Sequence, residues 1–162
     1  MGAGGGTYQK LLGSEYNWTA VEIWHESAEY IKQFYNKVYE EDVRTFNYPE
    51  KYDLVIFGDI IEHLTVEDAQ QVLNKAEQNS NAILIAVPYM YPQKEIFGNK
   101  AEKHIQDDLT PELFNQRYPG FELIYSHNNY AYYWKEIKKI DISIIIPCHN
   151  LEKYIKPLLL SF

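Results

Sequence analysis

The chain has 162 residues, with 15 Lys+Arg against 23 Asp+Glu and a formal net charge of −8, which suits one domain or one domain plus a fragment. The acidic balance excludes a broad nucleic-acid-binding face. The single cysteine, Cys148, cannot form an internal disulfide. No apolar run reaches the roughly 18 residues of a membrane span or has the design of a signal peptide. We therefore expect a cytoplasmic protein without a membrane span.

The first part of the chain alternates helices and strands. A glycine-rich turn over residues 1–6 opens a short helix that Gly13 closes. Residues 18–23 predict a strand, 25–35 carry apolar residues at helical spacing, and 37–41 predict another short strand. This pattern is typical of a βα unit.

Two apolar runs follow, at 52–57 and 81–87, and both are of the kind buried on two faces in a parallel sheet. Between them Thr65 is a predicted N-cap for a helix that extends to about Asn79. Residues 89–108 have no clear period and predict a long functional loop.

The segment after this loop predicts a helix and a hairpin. Thr110-Pro111 is a typical helix start, and the helix is expected to end near Arg117. Residues 121–126 and 130–137 flank the turn at 127–129 and predict two antiparallel strands. The alternation of elements along the chain predicts an open α/β sheet, whose ligands lie beyond the carboxyl ends of the strands.

A glycine cluster stands at the start of the chain. Gly2, Gly4 and Gly6 follow a G-x-G-x-G rule, which allows close approach of the backbone to a nucleotide-like ligand. A tight turn is the alternative interpretation. The dinucleotide fingerprint requires glycine where the chain has Thr7, so a nicotinamide-dependent oxidoreductase is the weaker hypothesis.

Acidic residues follow three successive predicted strands. Glu22 ends the first, Glu41 and Asp42 end the second, and Asp59 follows the third. A single acid of this kind is often a solvated surface residue. Three in register favour a polar ligand, and Glu22 is placed where ribose hydroxyls could donate to it.

The segments GAGGGTYQKLL, VEIW, EDVRTF and YDLVIFGDIIEHL, in this order and spacing, resemble the motifs of class I S-adenosylmethionine-dependent methyltransferases. The resemblance covers about residues 1–137 and places this domain at 1–139. It implies S-adenosyl-L-methionine as cofactor and a Rossmann-like three-layer α/β sandwich. The implied sheet is mostly parallel, of order 3-2-1-4-5-7-6, with an antiparallel last strand.

The resemblance also assigns roles by position. It implies that the glycines line the methionine part, that Glu22 holds the ribose hydroxyls and that Trp24 packs on the adenine. Asp42 would face the adenine amine and Asp59 the α-amino group of the ligand. The complete implied cofactor-binding set is Gly2, Ala3, Gly4, Gly6, Glu22, Ile23, Trp24, Asp42, Val43, Asp59, Ile60 and His63.

The family's first strand would precede Met1, so the resemblance describes an N-terminally truncated fold. Without that strand, the two strands on either side of its position would lie about 9–10 Å apart, twice the usual strand spacing, with unpaired backbone groups on both. One hypothesis is that the β-branched run Ile142–Ile146 fills this position, in cis or from another copy, which makes a homodimer possible.

The tail, DISIIIPCHNLEKYIKPLLLSF, resembles the opening of family-2 glycosyltransferases over residues 141–162. The prediction is therefore a glycosyltransferase fragment at 140–162. It lacks the later metal-binding acids and catalytic base of that family, so it cannot transfer sugar by itself. A fusion of this kind would belong to polysaccharide or glycan biosynthesis.

Methyl transfer requires an aligned acceptor and, for a hydroxyl, removal of a proton. His63 and His104 are the predicted catalytic bases because imidazole titrates near neutrality, although either could be a structural histidine. No metal is expected. The alternating Tyr130, Tyr132 and Trp134 are interpreted as a packed or partner-facing face and are left out of the predicted site.

The sequence thus predicts methyl transfer to a small-molecule or glycan acceptor. A non-catalytic cofactor-binding or structural module is the alternative, and a nicotinamide-dependent oxidoreductase ranks below it.

Overall fold

A computed structural model of the chain describes residues 1–96 and 98–138. The helices are α1 (Thr7–Leu12), α2 (His25–Ile31), α3 (Val66–Asn79) and α4 (Pro111–Arg117), with 3-10 turns at Ile61–His63 and Lys100–Glu102. The strands are β1 (Thr19–Glu22), β2 (Lys37–Glu40), β3 (Tyr52–Gly58), β4 (Ser80–Pro88), β5 (Glu122–His127) and β6 (Tyr130–Glu136). Each of these helices and strands corresponds to one predicted from the sequence.

The strands form two hydrogen-bonded groups. β1 and β2 pair in parallel, with Thr19 opposite Lys37 and Glu22 opposite Glu40. The second group has the order β3-β4-β6-β5, in which β3 and β4 are parallel and β6 is antiparallel to β4 and β5. The mostly parallel α/β arrangement with an antiparallel strand confirms the predicted Rossmann-like fold class.

Helix α3 shows why the four-stranded part folds as it does. Thr65 caps it, with its hydroxyl accepting from the Asp68 N–H at 3.1 Å, as predicted. An apolar stripe spaced for one helix face is buried in the same cluster as the apolar residues of β3 and β4. The stripe consists of Ala69, Val72, Leu73 and Ala76.

Besides the cleft that holds the candidate active site, a second cavity, of about 850 Å³, lies between the facing edges of β1 and β3. No described strand is found there. Val21 lines it from β1 and Val55 from β3. The start of the chain joins the two edges at one end. The main-chain nitrogen of Met1 donates to the Ile56 oxygen at 2.8 Å, and that of Gly2 donates to the Val21 oxygen at 3.0 Å.

The predicted helix over 25–35 ends early, at Ile31. The N–H of Phe34 bonds the Ile31 oxygen at 2.9 Å, a contact three residues back, so the chain tightens out of the helix. The predicted glycosyltransferase fragment and the hypothesis about Ile142–Ile146 lie outside the described residues. None of the described helices has the length and apolar character to cross a membrane.

Candidate active site

A cleft of about 1150 Å³ lies at the carboxyl ends of β1, β2 and β3. This is the edge at which open α/β sheets bind ligands. Most of the predicted site residues line it, namely Gly2, Ala3, Gly4, Glu22, Ile23, Asp42, Val43, Asp59, Ile60, His63 and His104. The fold therefore brings together side chains that the sequence separates by about a hundred residues.

Glu22 organises the glycine-rich end of the cleft. It is buried at the end of β1, and its carboxylate accepts from the Gly4 N–H at 2.8 Å and from the Trp24 N–H at 2.9 Å. One side chain therefore fixes both the glycine turn and the turn that begins α2. Each carboxylate oxygen accepts one of these bonds and retains acceptor capacity toward the cleft.

Two residues of the predicted set, Gly6 and Trp24, are not among the described residues that line the cleft. Gly6 is buried at the N-cap of α1 with φ 78, and a Cβ there would lie 3.4 Å from the Phe34 ring. Its glycine serves helix packing and a left-handed turn. Trp24 is the N-cap of α2, and the exposed neighbour Ile23 presents the apolar side chain to the cleft instead.

Asp42 lines the cleft at the end of β2, but its carboxylate is held by Arg44. The Arg44 Nη2 lies 2.5 Å from Asp42 Oδ2, and the Arg44 N–H donates to Oδ1 at 2.9 Å. The guanidinium lowers the pKa of Asp42 below its ordinary value, chiefly through these hydrogen bonds. An adenine amine approaching Asp42 would share the carboxylate with this arginine.

Asp59 follows β3 in a left-handed conformation, with φ 54, which is uncommon for a residue with a side chain. Its carboxylate accepts from the Tyr130 hydroxyl at 2.7 Å. Burial raises the pKa of Asp59 in spite of that bond. At the preceding position, a Cβ on Gly58 would lie 2.3 Å from the Tyr8 ring, so glycine is required for Tyr8 to reach the cleft.

The cleft is also lined by Glu62, His63 and His104. The two imidazole rings meet edge to face with centroids 4.6 Å apart, and His104 Nε2 lies 4.0 Å from Glu62 Oε1. Burial, together with the charge of Asp59, raises the pKa of Glu62 well above its ordinary value. Desolvation lowers the pKa of His63, so its imidazole is neutral near neutral pH.

His104 reaches this cluster because its loop is fastened to the turn that carries Glu62. The N–H groups of Ile105 and Gln106 donate to the main-chain carbonyl oxygen of Glu62 at 2.8 and 2.9 Å. The buried Gln106 amide donates to the Ile61 and Leu64 oxygens, and its carbonyl accepts from the Tyr118 hydroxyl. The long loop over 89–108 is thus anchored where it was predicted to be functional.

Sequence reasoning missed several residues of the cleft. Tyr130 and Tyr132 were interpreted as a packed or partner-facing face, yet both line the cleft, while Trp134 lines the second cavity. Their alternation along one strand was the available signal, but it does not show which end of the strand meets the ligand. Tyr8 and Gln93 are further lining residues without a sequence signal of their own.

The comparisons with known proteins agree with this geometry. A family model described as a methyltransferase domain matches residues 1–79. A structure of an S-adenosylmethionine-dependent methyltransferase from Clostridium acetobutylicum ATCC 824 is similar with a TM-score of 0.65 at 10% identity, covering 85% of this chain and 82% of that chain. No curated protein matches in sequence.

Two further structures are similar. A complex of DhpI with SAH has a TM-score of 0.66 at 12% identity and covers 82% of this chain and 72% of that chain. Human N-acetylserotonin methyltransferase in complex with SAM has a TM-score of 0.61 at 15% identity and covers 86% of this chain. The chain spans 46% of the length of the human enzyme.

The fold and the cleft at its strand ends define a Rossmann-like methyltransferase fold. The match to the methyltransferase-domain family model covers residues 1–79, just under half of the chain, and the similar structures share this fold. Two of these similar structures hold SAH or SAM.

Proposed function

We propose that the chain transfers the methyl group of S-adenosylmethionine to a hydroxyl of a small-molecule or glycan acceptor. The observation that carries the proposal is the make-up of one cleft. It is lined both by the glycine backbone with Glu22 and by a cluster of Glu62 and two imidazoles. Its volume of about 1150 Å³ exceeds the roughly 300–1000 Å³ of a typical ligand pocket, which leaves room for cofactor and acceptor.

The cofactor is proposed to lie along the glycine end. Gly2 and Gly4 have positive φ values of 60 and 45, and this conformation brings their backbone to the edge of the cleft. Glu22 would accept the ribose hydroxyls with the lone pairs that Gly4 and Trp24 leave free. The sulfonium would then face the cluster of Glu62, His63 and His104.

Beside Glu62, His63 and His104 the acceptor hydroxyl is proposed to lose its proton as its oxygen attacks the methyl carbon. The carbon–sulfur bond breaks, its electron pair stays on sulfur, and S-adenosylhomocysteine leaves. When Glu62, His63 and His104 hold no metal ion, the neutral His63 is the group suited to take the proton. Its lowered pKa leaves its imidazole unprotonated near neutral pH. Alignment of the two substrates supplies the larger part of the rate.

The acceptor class rests on two supports. The acidic net charge of −8 disfavours nucleic-acid acceptors. Tyr91, Tyr130 and Tyr132 line the cleft and offer aromatic faces suited to a sugar ring. As a further part of this proposal, the chain acts in glycan biosynthesis, and the resemblance of its tail to glycosyltransferases supports this part.

Calorimetric titration with S-adenosylmethionine and S-adenosylhomocysteine tests the cofactor site. We expect micromolar binding that Glu22→Gln weakens at least tenfold, because an amide cannot accept at both of its ends from Gly4 and Trp24. Glu26→Gln, an exposed carboxylate on α2, is the matched control and should bind normally. A folded chain that binds neither compound would favour the non-catalytic module.

Transfer itself is tested with methyl-labelled S-adenosylmethionine and simple glycosides as acceptors. Label recovered in a methyl ether supports the proposal. Cofactor binding without transfer to any hydroxyl acceptor would contradict it.

A further inference from the structure

Glu62 is a buried carboxyl group that lacks a partner among the described residues. It is 1% exposed, and neither of its side-chain oxygens accepts or donates a hydrogen bond there. Burial of an unpaired carboxylate is costly, and such groups in proteins are usually paired or bind a cation. The nearby Asp59 adds a second negative charge and raises the pKa of Glu62 further. The site therefore favours a positive charge beside Glu62.

The two histidines are oriented in the same way. His104 Nδ1 lies 2.6 Å from the Tyr91 oxygen, and His63 Nδ1 lies 3.2 Å from the Lys103 oxygen. A carbonyl only accepts, so each Nδ1 carries the proton, and each neutral ring presents the lone pair of Nε2. Metal-binding histidines are commonly fixed by a carbonyl in this manner.

The three groups converge on one point. One ligand atom from each of Glu62, His63 and His104 lies within 4.8 Å of the other two. The 4.0 Å between Glu62 Oε1 and His104 Nε2 is too long for a hydrogen bond. Tetrahedral zinc with bonds of about 2.0–2.2 Å holds its ligand atoms about 3.3–3.6 Å apart, so this pair draws in by about half an ångström to bind an ion.

We propose that Glu62, His63 and His104 bind one divalent transition-metal cation, with a further coordination position open to the cleft. Two imidazoles and one carboxylate are a ligand set of catalytic zinc sites and of other open transition-metal sites. This proposal replaces the sequence-based expectation of no metal. Cation binding stands by itself, and only the role of the cation rests on the proposed function.

In that role the cation would take the acceptor hydroxyl as its next ligand. Metal coordination lowers the pKa of a bound hydroxyl, so the proton passes to water and the oxygen is left as the nucleophile. The oxygen then forms the bond to the methyl carbon while the carbon–sulfur bond breaks. With the cation bound, the two Nε2 lone pairs are ligands and His63 no longer acts as a base.

The test is direct metal binding by the full chain, stripped with a chelator and titrated with Zn²⁺ by calorimetry. Co²⁺ absorption gives a second readout of the ligand set. We expect one ion per chain, and we expect His104→Ala and Glu62→Gln each to weaken binding about 10–100-fold. Glu62→Gln is nearly isosteric, so it keeps the test valid if His104→Ala fails to fold.

His25→Ala is the matched control, because His25, Glu29 and Glu40 form a second His and acid cluster that is fully exposed. Its zinc affinity should equal that of the unchanged chain. A folded chain that binds no Zn²⁺, or equal losses in His25→Ala and His104→Ala, would overturn the proposal and leave a simple Glu62–His104 pair. Zinc binding without S-adenosylmethionine binding would keep this inference and reject the proposed function.

Discussion

The two groups of strands differ in how their cores are built, although both reach the same cleft. The four-stranded group shares one apolar cluster with α3 and α4, which includes Phe57, Ile85 and Phe114. The β1–β2 pair buries only a few apolar residues, among them Val21 and Phe46, and these lie outside that cluster. The half that carries Glu22 is thus held by a smaller core than the half that carries Glu62.

This difference indicates that the two groups of strands stabilise the cleft in different ways. The larger apolar core of the four-stranded group holds Glu62, His63 and His104 in position. The β1–β2 pair depends more on the glycine turn and on Glu22, and a cofactor bound as proposed would contact both halves. Ligand binding to the folded state stabilises it by mass action, by about 2.7 kcal/mol at a hundredfold excess over Kd. The β1–β2 half should gain most from it.

The largest expected effect compares two buried phenylalanines. Phe57→Ala should lower the free energy of unfolding by about 3–5 kcal/mol, because Phe57 is fully buried in the larger cluster. Phe46→Ala removes a ring that packs mainly on Tyr39 and Tyr48, and its effect should be confined to the β1–β2 half. Hydrogen exchange of the backbone amides measures both effects. If either substitution speeds exchange equally in β1 and β4, the two groups of strands do not differ in stability as described.

A smaller effect is expected at the junction of the halves. Gly58→Ala places a Cβ 2.3 Å from the Tyr8 ring and should cost about 1–3 kcal/mol as well as weaken S-adenosylhomocysteine binding. Gly5→Ala is the control, because a Cβ at Gly5 meets nothing within 4 Å. Thermal melts with and without ligand give both quantities. If the two variants melt alike, the close approach of Tyr8 is unimportant.

The smallest effect is expected for Arg44→Ala. The Arg44 side chain is 51% exposed, so its pair with Asp42 is screened and should contribute at most about 1 kcal/mol. Because Arg44 lowers the pKa of Asp42, the contribution is present above the ordinary carboxyl pKa and is lost as the pH falls through the lowered value. The stabilities of the two proteins should therefore differ near pH 7 and converge in acid.

Titration of Asp42 by NMR checks the same point, since its pKa should rise toward the ordinary value in Arg44→Ala. An unchanged pKa would mean that the hydrogen bonds from Arg44 do not form in solution.

The elements with strong local signals were predictable. The Thr65 cap and apolar stripe of α3, the apolar runs of β3 and β4, and the Thr110-Pro111 start of α4 all depend on residues close in sequence. The early end of the second helix was not, because Phe34 and Tyr35 continue the helical spacing while the chain tightens. The surroundings of Gly6 were not predictable either, since spacing cannot distinguish a glycine facing a ligand from one facing a helix.

The candidate site was predictable as a set of strand-end residues and less so as chemistry. The meeting of His104 with Glu62 depends on Gln106 and on main-chain bonds from a loop without periodicity. The orientation of each imidazole depends on a carbonyl that no sequence pattern reveals. The Tyr130 contact with Asp59 joins positions 71 residues apart. Such contacts follow from the tertiary fold alone.

Gln106 also bears on how the acceptor enters. Its amide donates to Ile61 and Leu64 at 2.8 and 3.0 Å, and its carbonyl accepts from Tyr118 and Arg117 at 2.8 and 3.2 Å. To swing this part of the loop outward would break three buried hydrogen bonds and one half-buried hydrogen bond at once, which makes it a slow, rare motion. Substrate and product should therefore enter and leave at the other end of the loop, where Met90 and Tyr91 are exposed. Substitution of these two residues should change the rate of product release.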